Sequence, residues 1–136
     1  MVMTIIKIVI PHGLASLNEY TNDNRGNRFN GAKTKRINTD ICQLAIMHAM
    51  KQGAKIDKLP LHMHFKWIVK NKRKDPDNIA FAKKFILDGM VKAGLIKNDG
   101  WSEIASFQDE FEIGETEQVI VTLYGDYGQF MFGRGD

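Results

Sequence analysis

Two periodicities alternate along the chain and divide it into elements. "TIIKIVI", residues 4–10, is β-branched and apolar, so it predicts a buried strand. In "LHMHFKWIVK", Leu61, Met63, Phe65, Trp67 and Val69 point one way, and His62, His64 and Lys66 the other. That alternation predicts a half-buried strand with an antiparallel neighbour. Helical spacing takes over at Ile37, Ile41, Leu44, Ala45 and His48, predicting a helix over 37–52. Ile79, Ala82, Ile86, Met90 and Ala93 form the core stripe of a second helix over 76–93, which Gly94 stops. "KNDG" is a turn, and strands are expected near 103–113 and 117–124. The last of these, "QVIVTLY", reads as fully buried. Between the first strand and the first helix, "PHGLASLNEYTNDNRGNRFNGAK" is rich in Gly and Asn and reads as a long loop. The expected fold is α+β: a small mixed β-sheet with two main helices, in the order β-loop-α-β-α-β-β. Residues 1–124 would form one domain. Residues 125–136 would form a flexible tail whose Phe130 and Phe132 offer a docking point for a partner.

Composition narrows the class. A chain of 136 residues, 43% apolar and 26% charged, suits one ordinary globular domain. No apolar run is long enough to span a bilayer, and no signal-peptide cleavage site follows the first strand, so neither membrane nor export is expected. The single cysteine, Cys42, is expected to pack on a helix in a reducing, cytoplasmic compartment. The net charge of +3 hides an asymmetry: residues 1–74 hold 14 Lys and Arg against 4 Asp and Glu, and residues 75–136 hold 5 against 12. Such a split suggests that one surface meets a polyanion, with a solvated acidic face as the plain alternative.

The two signs collide in "NKRKDPDN", residues 71–78. Helix capping accounts for much of it. Asp75 suits the N-cap, Pro76 the first helical position, and Asp77 and Asn78 the positive end of the dipole. A second reading uses the same residues for chemistry. Lys72, Arg73 and Lys74 would hold phosphates beside two carboxylates. Lys84 follows Asp77 by seven residues, so a continuous helix puts both on one face and turns Lys83 away. Asp99 joins them only if the chain folds back. Oxygen ligands of this kind suit Mg²⁺, or Mn²⁺, rather than zinc. Such an ion lowers the pKa of bound water and neutralises charge on phosphate oxygens. His62 and His64 lack a third ligand and read as surface residues. Tyr20, Arg25 and Arg28 would reach DNA from the long loop, or simply be solvated there.

"KRKDPDNIAFAKKFILDGMVKAGLIKNDG" resembles the core of the RusA-type Holliday junction resolvases, a family often carried by phages and prophages. "IVIPHGLASLNEYTNDNRGNRF" is similar to that family's first strand and Asn-containing basic loop, so the resemblance spans roughly residues 5–124. It implies a homodimeric, Mg²⁺-dependent endonuclease that resolves four-way DNA junctions by paired symmetric nicks in recombination and repair. It implies Asp75, Asp77 and Asp99 as metal-binding catalytic residues and Lys84 as the catalytic lysine. Lys70, Lys72, Arg73, Lys74, Asn78, Arg25 and Arg28 are the expected DNA contacts. Two departures stand out. Extra residues after Asn78 leave Lys83 competing with Lys84, and Asn98 occupies a position where the family often has a second acid. The alternatives are a branched-DNA-binding protein without catalysis, a nuclease for other branched DNA, and an interaction protein working through its tail.

Overall fold

The computed structural model describes residues 5–125. Eight elements follow in order: β1 (Ile5–Ile10), α1 (Leu17–Gly26), α2 (Arg28–Lys51), β2 (Leu61–Val69), α3 (Pro76–Ala80), α4 (Lys83–Ala93), β3 (Ile104–Ile113) and β4 (Gln118–Gly125). The strands form one mixed sheet in the order β1-β4-β2-β3. β4 is antiparallel to both β1 and β2, whereas β2 and β3 run parallel. The architecture is α+β, as the alternating periodicities predict.

The helices cover one face of the sheet. Ile6, Ile8 and Ile10, Met63, Phe65 and Trp67, and Val119, Val121 and Leu123 all bury their side chains there. Phe85, Ile86 and Met90 of α4, with Cys42 and Ile46 of α2, close the core from above. Each fully buried large side chain of this set contributes about 2–3 kcal/mol of hydrophobic stabilisation. α2 and α4 cross at Gly89, where a methyl group would stand 2.8 Å from Cys42 Cβ. Cys42 is therefore a packing residue, as expected. Burial, aided by the charge of Asp88, pushes its thiol up to about 12.

The structure departs from the periodicity reading in several places, beginning with β1, expected buried, whose Ile5 and Val9 are exposed. The expected long loop is mostly helical, comprising α1 and the first turns of α2. A capping box starts α1: Ser16 Oγ accepts from the Glu19 N–H, and the Ser16 N–H donates to Glu19 Oε1 at 2.9 Å. Asn27 caps α2 by accepting from the Phe29 N–H at 2.7 Å. Buried Asn38 ties the hairpin down, accepting from the Ala15 N–H and donating to the Thr34 carbonyl. Polar side chains that read as loop chemistry are thus spent on helix ends.

The helix expected over 76–93 is two helices. Around Phe81 and Ala82 the backbone tightens, with Ala82 N–H bonded to Ile79 O and Lys84 N–H to Phe81 O. Phe81 there stacks on Tyr20 at 5.6 Å and meets Phe85 edge-on at 5.7 Å. β2, for its part, lies inside the sheet with a parallel as well as an antiparallel neighbour. His62 is consequently buried, 2.6 Å from Ser106 Oγ, and is no surface residue. β4 alternates between buried and half-buried positions, because only one face of the sheet carries helices. Gly125, assigned to the tail, closes β4. The remaining tail, with Phe130 and Phe132, lies outside the described residues. No helix among the described residues is long and apolar enough to cross a membrane.

Candidate nucleic-acid and metal site

The parallel pairing of β2 with β3 decides where the chemistry-bearing residues stand. β2, the α3–α4 segment and β3 form a β-α-β crossover. The strands pair from Leu61 with Ile104 to Val69 with Ile113, so both end at the same edge of the sheet. The loop 70–75 and the start of α3 emerge from that edge. In sheets with parallel strands, ligands favour the crevice outside the strand carboxyl ends.

Lys70, Lys72, Arg73, Lys74, Asp75 and Asp77 are all exposed there. Asp75 occupies the N-cap of α3 but makes no side-chain capping hydrogen bond. Neither Asp75 nor Asp77 forms an ion pair among the described residues. Capping therefore leaves the Asp75 carboxylate unused. Two clefts flank this loop. One, of about 270 Å³, is lined by Lys72, Lys74, Asp75 and Pro76 against Phe111 and Ile113 of β3. The other, of about 230 Å³, lies between Arg73 and Lys74, the segment before α1, and the start of β4.

Two contacts bind the N-terminus of α1 to the same edge. Lys74 Nζ meets Glu19 Oε1 at 2.9 Å, and the Asn18 N–H donates to Asn78 Oδ1 at 2.8 Å. Partial burial pushes the Glu19 carboxyl up, but the Ser16 N–H and hydroxyl and the Lys74 ammonium outweigh it and hold it below its usual value. Asn78 is half-buried and its carbonyl oxygen is committed to α1, so it positions that helix; only its amide NH₂ is left for DNA. Arg25 is exposed in the last turn of α1, about 12 Å along the axis from Leu17. Arg28 is the first residue of α2. Tyr20 packs against Phe81 and Phe85 and belongs to the rim of the core.

Asp99 is not brought to this edge. It lies between α4 and β3, beside Gly100, whose carbonyl accepts from the Glu103 and Ile104 N–H groups at the start of β3. Asp75 lies beyond the end of β2. A nine-residue strand separates the two ends, about 26 Å at the usual rise. Among the described residues, no three His, Cys, Asp or Glu side chains gather to hold a metal ion. The convergence of Asp75, Asp77 and Asp99 expected from the sequence thus does not occur within one chain. The reason is topological: a helix segment returning from one end of a parallel pair delivers the next loop to the other end.

The break at Phe81–Ala82 also removes the straight-helix geometry that aligned Lys84 with Asp77. Lys84 is exposed. Lys83 is the embedded lysine: its Nζ lies 2.8 Å from Asp109 Oδ2, with side-chain exposures of 17% and 25%. Trp67 Nε1 donates to the other Asp109 oxygen at 2.8 Å, and the rings of Phe65 and Phe107 lie 5.1 and 4.6 Å from the ammonium. The sequence carried a signal for this cluster. In "IASFQDEFEI", alternation puts Asp109 on the apolar face with Phe107 and Phe111, where an acid needs a partner. Comparison with family models and with curated proteins returns no match for this chain.

Proposed function

We propose that this protein binds branched DNA through its basic edge and cleaves it as a divalent-metal-dependent endonuclease, with a four-way junction as the substrate. The junction as substrate rests only on the resemblance to the RusA-type resolvases, and one observation supports the metal-dependent chemistry: Asp75 and Asp77 stand exposed and unpaired beside Lys72 and Arg73, and Asp75 stands at a helix N-cap it does not cap. Two unspent carboxylates are hard oxygen donors of the kind Mg²⁺ takes, and Mg²⁺ needs few protein ligands because it retains water. When bound, the ion supplies an activated water and charge neutralisation at phosphorus. The chain's own part is to grip the backbone through Lys70, Lys72, Arg73 and Lys74 and to present Asp75 and Asp77 at that backbone. Asp99 reaches such a site only from a second copy. The reading therefore takes the functional unit as a homodimer, whose two-fold axis also suits two symmetric nicks. A cytoplasmic location fits a buried free thiol.

The test is a synthetic four-way junction incubated with the protein in Mg²⁺ or in EDTA. Paired nicks are expected only with the metal. Asp77→Asn and Asp99→Asn should each bind the junction without cutting it. Mixing the two variants should restore nicking, because a mixed dimer rebuilds one complete site. If the mixture stays inactive, Asp99 does not act from the partner. If the unaltered protein binds but never cuts, a second reading stands: a branched-DNA-binding protein, which the distance of Asp99 from Asp75 and Asp77 favours.

A further inference from the structure

The tip of the α1–α2 hairpin carries a group that neither the core nor the basic loop uses. Phe29 is 71% exposed, although Phe is among the residues that folding most often buries. A single exposed apolar side chain is ordinary on a protein surface, but the setting of this one is not. From Asn22 to Arg36 the chain holds five Lys and Arg against one acid, Asp23. That acid already accepts a hydrogen bond from Thr34 Oγ1 at 2.6 Å. Arg25, Lys33 and Arg36 are exposed and form no ion pair among the described residues. Phe29, Lys33 and Arg36 follow one another at helical spacing, so they share one face of α2. The tip is also fixed in shape. A Cβ at Gly31 would stand 3.1 Å from Asn24 Cα, so the two helices approach closely there. The Thr34–Asp23 bond and the Asn27 cap on the Phe29 N–H hold both sides of the turn.

The geometry points to Phe29 as a wedge that stacks on a base exposed at the branch point of bound DNA, while Arg25, Lys33 and Arg36 meet the flanking phosphates. The wedge rests on the branched-DNA reading above and not on cleavage. An aromatic ring among unpaired cations fits nucleic acid better than an apolar protein face, which would bury those charges without partners. Stacking is tolerant of sequence, because every base has a π-face, so the wedge adds no base preference. It adds a preference for structure instead. In an intact duplex the ring has to open a stacked step, whereas a branch point already interrupts the stack. A tip fixed in advance also loses little conformational freedom on binding. α1 spans ten residues, about 15 Å, from the basic edge to this tip. One DNA molecule can therefore lie on both: Lys72 and Arg73 hold its backbone, and Phe29 tests for the branch.

The experiment is a titration of the full chain, in EDTA, with a four-way junction carrying 2-aminopurine at the branch point and with a duplex carrying it in the same sequence. The parent protein should raise the fluorescence of the junction, as the labelled base leaves its neighbours, and not that of the duplex. Phe29→Ala should bind the junction about tenfold more weakly, lose the fluorescence rise, and bind the duplex within about twofold of the parent. Phe29→Trp should keep the parent's junction affinity. Arg25→Gln and Lys33→Gln should weaken both DNAs and each lower the slope of log affinity against log salt by about 1, whereas Phe29→Ala leaves that slope unchanged. The wedge is overturned if Phe29→Ala binds the junction as the parent does, or weakens the duplex equally. It also falls if Phe29→Trp binds no better than Phe29→Ala, or if neither cation variant changes the slope. A parent that binds neither DNA sinks the branched-DNA reading and the wedge together; a parent that binds the junction with no loss in Phe29→Ala sinks the wedge alone. No cleavage is read, so failure of the nuclease reading leaves these outcomes intact.

Discussion

Replacing Asp75 with alanine separates a capping carboxylate from a functional one. A working N-cap loses about 1 kcal/mol, within a range of ~0.5–2, when its side chain becomes alanine. Ser16 is such a cap in this protein, with its reciprocal bond to Glu19, and Ser16→Ala should cost that much. Asp75 makes no capping hydrogen bond, so only its attraction to the helix dipole remains to be lost. That term is ~0.3–1 kcal/mol at an exposed N-terminus, and a five-residue α3 puts it at the low end. Asp75→Ala should therefore cost less than about 0.5 kcal/mol. Urea unfolding of the two variants beside the parent, followed by circular dichroism, resolves the difference as a midpoint shift at constant slope. On heating, Ser16→Ala should lower the midpoint by about 4 °C and Asp75→Ala by no more than about 2 °C. If Asp75→Ala costs as much as Ser16→Ala, its carboxylate caps α3 in solution. The observation that supports a metal-binding role would then be gone.

Two further outcomes follow from the same structure. Lys83→Met removes an ammonium held by Asp109 and two aromatic rings, and should cost about 2 kcal/mol in urea unfolding, against under about 0.5 for Lys84→Ala; equal costs would show that the embedded pair contributes nothing. The Cys42 thiol is raised in the folded protein, so it is neutral in both states below about pH 9 and ionises only in the unfolded chain above that. Stability should then fall with rising pH by up to about 1.4 kcal/mol per unit between pH 9 and 12, and Cys42→Ala should lack that component; identical alkaline profiles would refute the burial effect.

The strands and the core stripes were legible in the sequence because they depend on nearest periodicity. Ile6, Ile8 and Ile10, and Ala82, Ile86 and Met90, point inward, whereas Phe85, as deeply buried, was not part of the stripe read from the sequence. The helical character of 17–36 was written there too, in the S-x-x-E of Ser16 and Glu19 and in Asn27. It was obscured because Asn and Gly also serve loops. The basic run and its neighbouring carboxylates were likewise visible as sequence. Their shared edge at the end of β2 follows from chain adjacency alone.

What the sequence by itself determined is therefore the local grammar: which segments are strands, which faces are apolar, and which charges stand side by side along the chain. Tertiary structure alone decided that β3 pairs parallel with β2, that Asp99 consequently lies a strand's length from Asp75, and that Lys83 rather than Lys84 is enclosed by Asp109, Phe65 and Phe107. The physical reason is that periodicity fixes the side of an element a residue occupies. The direction in which the next strand runs is set by the whole sheet, through pairings between residues more than forty positions apart, such as Trp67 and Phe111.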